Sequence, residues 1–219
     1  MPTTVSELER WFSEERLVPY RAACDGASGK AVDLYGWNAV VSAALWRTLG
    51  HVEILLRQAM HRELLAWSRN HRGDDRWYIA CGDYLTARAR SDVCRARRRV
   101  TKFGKPETPG RVVAELNLGF WRYLLASHYE RTLWLSCLRR AFPHLHGLRK
   151  HLERPVADLH RLRNRLAHHE PIHHLPIEEL SQKALLVAGW IDPAARDWIY
   201  AGDTVRQVIN RRLRAAPGS

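Results

Sequence analysis

The longest regular feature of the sequence, residues 31–69, repeats apolar residues at every third or fourth position and contains no proline. The apolar positions are Leu34, Trp37, Val41, Leu45, Leu49, Val52, Leu56 and Met60. An α-helix turns once every 3.6 residues, so this spacing gathers them on one face. The stretch predicts one long core helix, or two helices that meet near Gly50.

The rest of the chain also has helical periodicity, and no alternating strand pattern of any length occurs. We therefore predict an all-α fold with a single domain over residues 1–219. Its predicted parts are N-terminal helices in 1–30, the core helix at 31–69, a basic helix at 86–105, two short helices bent at 117–119, a helix at 129–142, a motif helix at 145–169 with a kink or restart at Pro155, and C-terminal helices in 176–214.

The amino-acid composition limits the kinds of molecule that the protein is expected to bind. The net charge is +12 and the pI about 10.1, which favours an anionic partner such as nucleic acid or an anionic membrane surface. No continuous apolar run approaches the ~20 residues of a membrane span, and the charged N-terminus has no signal-like core. The four cysteines form no paired motif, so we expect reduced, mostly buried thiols in a cytoplasmic protein with no membrane contact.

The segment Arg163–Pro171 places chemically active residues at the end of the motif helix. Its apolar stripe is Leu148, Leu152, Val156, Leu159, Leu162 and Leu166. Arg163 falls at the edge of that stripe, while Asn164 and His168 share a polar row with His160. An arginine can hold a phosphate, a histidine can transfer a proton, and an amide can orient either group, which together suit metal-free RNA cleavage. A solvated face ending in a helix stop has the same pattern.

Two further charge patterns each allow two interpretations. Glu53 and Arg57 are four residues apart, which fits a surface ion pair or a brace for the helix that carries Arg163 and His168. The basic helix, in which only Asp92 opposes the cations, is either a solvated face or an RNA-backbone contact. The candidate RNA-binding residues are Arg88, Arg95, Arg97, Arg98, Arg99 and Lys102, with Arg165 in the motif itself.

Five histidines between residues 160 and 174 invite a metal hypothesis, but their spacing does not support one. No H-E-x-x-H motif occurs, and no cysteine or aspartate lies at a companion distance. The sequence also lacks a P-loop, a dinucleotide-binding glycine motif and a G-x-S-x-G motif. We therefore predict no metal and no cofactor.

Several stretches resemble the Abi-like (abortive infection) proteins of the HEPN superfamily. These are Leu34–Asn38, Leu49–Arg57, Val113–Trp121, Leu138–Pro143 and Leu162–Ile172. The last stretch is similar to the R-x4–6-H signature of that superfamily, with a polar residue after the arginine. The similarity runs in order from about residue 5 to residue 213.

The resemblance implies an all-helical fold built on an antiparallel helix pair, and metal-independent RNase activity at a composite site in a homodimer. Arg163 and His168 would be the signature pair, Asn164 the polar neighbour, and Glu53 the acidic residue of the core helix. Arg57 precedes Gln58, where such proteins often have asparagine, and His169 is a second histidine in range. Members act as toxins or antiphage effectors, or bind RNA or a partner such as an antitoxin without catalysis.

Overall fold

A computed structural model describes residues 3–215, and the side chain of Ala215 is not described. Within that range the chain is all-α and has no β-strand, as the sequence predicts. Residues 1–2 and 216–219 of the predicted domain lie outside the described residues. The helices are α1 (Val5–Phe12), α2 (Glu14–Ala22), α3 (Ser28–Arg72), α4 (Trp77–Ala80), α5 (Ala87–Thr101), α6 (Pro109–Glu115), α7 (Leu118–Tyr123), α8 (Arg149–Ala167), α9 (Ile177–Ile191), α10 (Pro193–Ala201) and α11 (Val205–Ala215).

The long helix α3 organises the domain. Its 45 residues continue through Gly50 without a break, so the one-helix alternative is correct, and it spans about 68 Å at 1.5 Å per residue. Gly73 ends it in the left-handed conformation, with φ 64°, which a residue without a Cβ adopts readily. By length and composition alone an 18-residue part of α3 is apolar enough to cross a membrane, although that part is not a continuous apolar run. The buried core helix of a soluble protein passes the same test.

Two hydrophobic clusters pack along α3. The small one joins α1 and α2 to the start of α3 through Leu17, Tyr20 and Leu34, with Val5, Leu8 and Ala31. The large one surrounds the middle and end of α3 and takes residues from α4 to α11. Local side chains cap two of the helices: the Thr86 hydroxyl accepts from the Ala89 N–H at the start of α5, and the Asp192 carboxylate accepts from two N–H groups of α10.

The predicted helix over Tyr129–Phe142 is wrong in its detail. A π-helical turn covers Glu130–Trp134 and a 3-10 turn covers Leu138–Ala141. The Thr132 hydroxyl and the Cys137 thiol both donate to backbone carbonyls, and Cys137 itself has extended φ of −149°. Such side-chain bonds compete with the regular helical ladder, so the segment folds as a series of irregular turns.

Candidate functional site

The motif helix α8 is anchored by the face that the sequence predicts. Leu152, Val156, Leu159, Leu162 and Leu166 are all buried in the main core. Helix α8 begins at Arg149 and not at residue 145, and it continues through Pro155 without restarting. Leu148 precedes the first turn and is exposed, so its place in the stripe is wrong.

The side chain of Arg163 extends from α8 towards α3. Its Nε is 3.5 Å from Glu53 Oε2, and its guanidinium carbon lies 5.5 Å from the ring centroid of Trp46. Both charged side chains are largely buried: 31% of the Arg163 side chain and 19% of the Glu53 side chain are exposed. Nε forms no hydrogen bond within the described chain, so the contact with Glu53 is an ion pair without one. This geometry favours the interpretation of Glu53 as a brace for the motif helix.

Arg57 does not share that role. Within the described residues it forms no ion pair with Glu53, and its Nε is buried without a hydrogen-bond partner. The i,i+4 spacing of the two residues therefore gives neither the surface pair nor a second brace. The Glu53 carboxylate instead faces Arg163 on α8, where it offsets part of the arginine's charge.

A cavity of about 580 Å³ opens beside Arg163. This volume falls in the range of small-molecule sites, roughly 300–1,000 Å³. Its lining includes Arg16 of α2, Tyr35, Ser42 and Trp46 of α3, and Arg163 and His169 at the end of α8. Asn164 and His168 are not part of this lining, so the structure brings Arg163 together with His169 and not with the other two predicted residues.

The end of α8 explains why His169 reaches this cavity. The His169 N–H donates to the Leu166 carbonyl at 3.1 Å and the Glu170 N–H to the Arg165 carbonyl at 2.9 Å, which is the Schellman arrangement. His169 occupies its left-handed position with φ 54°, where glycine is usual. A non-glycine residue there is under backbone strain, and such strain is concentrated at functional sites.

Asn164 and His160 form a separate pair, next to α7. Asn164 Nδ2 lies 3.4 Å from His160 Nε2. Burial is the main cause that lowers the pKa of His160, and the charges of Arg122, Arg163, Arg88 and Arg161 lower it further. The ring is therefore neutral at pH 7. His168 caps α8 with its N–H on the Asn164 carbonyl at 3.0 Å, and its side chain is exposed.

Asp92 is the one acid within the basic helix, as the sequence shows, and acids from outside the helix neutralise it further. The turn after α5 brings α6 back against it, which adds two carboxylates. The ion pairs are Arg95–Asp92, Arg97–Glu107 at 2.9 Å and Arg99–Glu115 at 3.7 Å. Within the described chain Arg88, Arg98 and Lys102 have no acidic partner, while Arg165 lies 3.5 Å from Glu170.

The histidine and cysteine positions give no metal cluster in residues 3–215. All four cysteines are free, with Cys81 and Cys137 buried, Cys24 partly buried and Cys94 exposed. Burial raises the pKa of Cys81 and of Cys137 to about 12, which keeps both thiols protonated.

Four of the lining residues named above are missing as site residues from the sequence-based prediction: Arg16, Tyr35, Ser42 and Trp46. Trp46 directly follows Leu45 in the apolar stripe of α3, so it lies outside the core face. A large aromatic residue in such a position is a sequence feature that could have indicated a site. Arg16 has no such signal, because its place beside α3 depends on how α2 packs. No family model matches the chain, and neither the curated proteins nor the solved structures contain a significant match.

Proposed function

We propose that this protein is a metal-independent endoribonuclease of the HEPN type, acting in the cytoplasm as an abortive-infection or toxin-like antiphage effector. The observation that supports this most is the cavity shared by Arg163 and His169, with Glu53 holding the arginine and Trp46 beside it. A fixed cation, an imidazole and an aromatic wall are the groups that a phosphodiester with an adjacent base requires.

In the proposed reaction an imidazole accepts the proton of the RNA 2′-hydroxyl. The 2′-oxygen then bonds to the adjacent phosphorus, and the bond from phosphorus to the 5′-oxygen breaks. Arg163 stabilises the charge that develops on the phosphoryl oxygens, and a second imidazole or a water protonates the leaving oxygen. The products are a 2′,3′-cyclic phosphate and a 5′-hydroxyl.

The two histidines have different proposed places in this reaction. His169 shares the cavity with Arg163, so it is the first choice for the base in this chain. His168 is exposed one residue earlier, and Asn164 lies further round the helix beside His160. In a homodimer whose motif helices meet, His168 and Asn164 would act on the substrate held by the partner subunit.

The test is incubation of purified protein with total cellular RNA and tRNA in excess EDTA. Wild type is compared with Arg163→Ala, His168→Ala and His169→Ala, and with His146→Ala as an exposed histidine outside the site. We expect cyclic-phosphate ends from wild type and His146→Ala only. Intact RNA in every lane, or equal cleavage by Arg163→Ala, would refute the proposal.

A second candidate function is binding of RNA, or of an antitoxin protein, without cleavage. Its support is a set of basic side chains on α5 and at its end that have no acidic partner within the described residues: Arg88, Arg98 and Lys102. The two functions differ in cells, where growth arrest by a nuclease disappears in Arg163→Ala. A binding module with an intact α5 surface retains its effect in that variant.

A further inference from the structure

A second cationic cluster lies where α5, α7 and α8 meet. Two guanidinium groups pack on one phenol ring: the Arg88 carbon is 4.0 Å and the Arg122 carbon 4.4 Å from the ring centroid of Tyr123. The ring of His160 lies 6.4 Å from the same centroid. The cluster therefore joins residues that are far apart in sequence into one surface.

No ion pair among the described residues neutralises the two positive charges of this cluster. Because both lie on one ring, they are within about 10 Å of each other, the Debye length at 0.1 M salt, and they repel. In the described chain no carboxylate lies within ion-pair distance of either arginine. Arg122 Nε is also buried and has no hydrogen-bond partner among residues 3–215, so it is an unsatisfied donor there. An anion would supply both the missing charge and the missing acceptor.

His160 and Asn164 complete the surface with neutral groups. The lowered pKa of His160 has burial as its first cause and the charges of Arg122 and Arg88 among the others, so a neutral ring adds no third repelling charge. In the tautomer whose Nε2 accepts from the Asn164 amide, the ring proton lies on Nδ1 and remains available as a donor.

Gly119 of α7 allows this ring to sit where it does. A Cβ at residue 119 would lie 3.0 Å from His160 Nε2 and 3.1 Å from Asn117 Oδ1. The imidazole therefore packs against the backbone of α7, next to Arg122 and Tyr123. The aromatic ring of Tyr123 limits the motion of both guanidiniums, so their donors are held in place before any ligand arrives.

We propose that Arg88, Arg122 and Tyr123, together with His160 and Asn164, form a phosphate-binding site separate from the Arg163 cavity. Guanidinium forks match phosphate oxygens in geometry, and two unneutralised cations suit a dianionic phosphate or a backbone phosphodiester. The ligand is either a phosphate of a nucleic-acid backbone or free phosphate. The site goes beyond the proposed nuclease and requires no cleavage.

The test measures binding alone, with a 2′-O-methyl oligoribonucleotide that has no attacking hydroxyl and with inorganic phosphate. The variants Arg88→Gln and Arg122→Gln each remove one charge at similar size. Arg154→Gln is the matched control, because Arg154 is exposed on α8 and has no ion pair in the described chain. We expect each test variant to weaken oligonucleotide binding about tenfold and to reduce its salt slope by about one. Arg154→Gln changes the affinity less than about twofold.

The two probes identify the source of the phosphate. Loss of oligonucleotide binding assigns the site to a backbone phosphate, and loss only of the thermal stabilisation by inorganic phosphate assigns it to free phosphate. Test variants that bind both probes as tightly as Arg154→Gln would overturn the proposal. If Arg122→Gln does not fold, Arg88→Gln carries the test alone, because the Arg88 side chain is exposed. Cleavage plays no part in this result, so a failed nuclease assay leaves it standing.

Discussion

Replacing His169 by glycine should make the protein more stable and less active. His169 has φ 54° at the left-handed position of the helix end. That conformation costs an L-residue about 1–2 kcal/mol, whereas glycine adopts it freely but loses about 0.5–1 kcal/mol through its greater freedom when unfolded. The exposed imidazole makes few contacts that would be lost. The expected net gain in the free energy of unfolding is about 0.5–1 kcal/mol, or about 1–4 °C in Tm for a chain of this size.

The matched control is His169→Ala, which removes the imidazole but keeps the Cβ that causes the strain. Denaturant and thermal unfolding of wild type and both variants separate the two effects, because only the glycine variant relieves the backbone. Both variants should lose RNA cleavage if His169 is the base. An alanine variant as stable as the glycine variant would refute the strain argument. Full cleavage by both variants, with none by His168→Ala, would assign the reaction to His168.

Three other substitutions test how single residues contribute to stability. Gly50→Ala should raise the free energy of unfolding by about 0.5–1 kcal/mol in denaturant titration, because a Cβ there meets nothing within 4 Å inside α3; a loss of stability would show that α3 is interrupted. Glu53→Gln should cost about 1–2 kcal/mol, since it leaves the largely buried charge of Arg163 without its counter-ion, and this cost should shrink in an Arg163→Gln background. The lowered pKa of His160 means that the unfolded state gains this proton at a higher pH than the folded state does, so stability should fall from pH 7 to pH 5, and less steeply in His160→Gln.

Local sequence rules predicted the elements whose stability is decided locally. The stripe of α3 depends on spacing within one segment, and the structure has it as predicted. The caps at Thr86 and Asp192 likewise involve only residues within a few positions of one another. The segment from Tyr129 to Phe142 also has helical spacing. There, side chains that bond backbone carbonyls outweigh the periodicity, which spacing alone does not reveal.

The candidate site was harder to predict because it depends on how helices cross. The spacing placed Asn164 near His160, and the structure has that pair at 3.4 Å. It did not place Arg163 with His169, because the helix ends at Ala167 and the backbone then turns through a positive φ. The partners of Arg97 and Arg99 on the segment after α5, and the packing of Arg16 against α3, likewise depend on tertiary contacts between separate elements.

The two walls of the Arg163 cavity differ in how firmly the fold holds them. Arg163 belongs to a helix anchored in the main core, whereas Arg16 belongs to α2, which the small cluster of six buried residues attaches to α3. A segment with few buried contacts opens locally at lower free energy than the core around it. One wall of the cavity is therefore held by the main core and the other by a smaller cluster, and we expect the backbone amides of α2 to exchange hydrogen faster than those of α8.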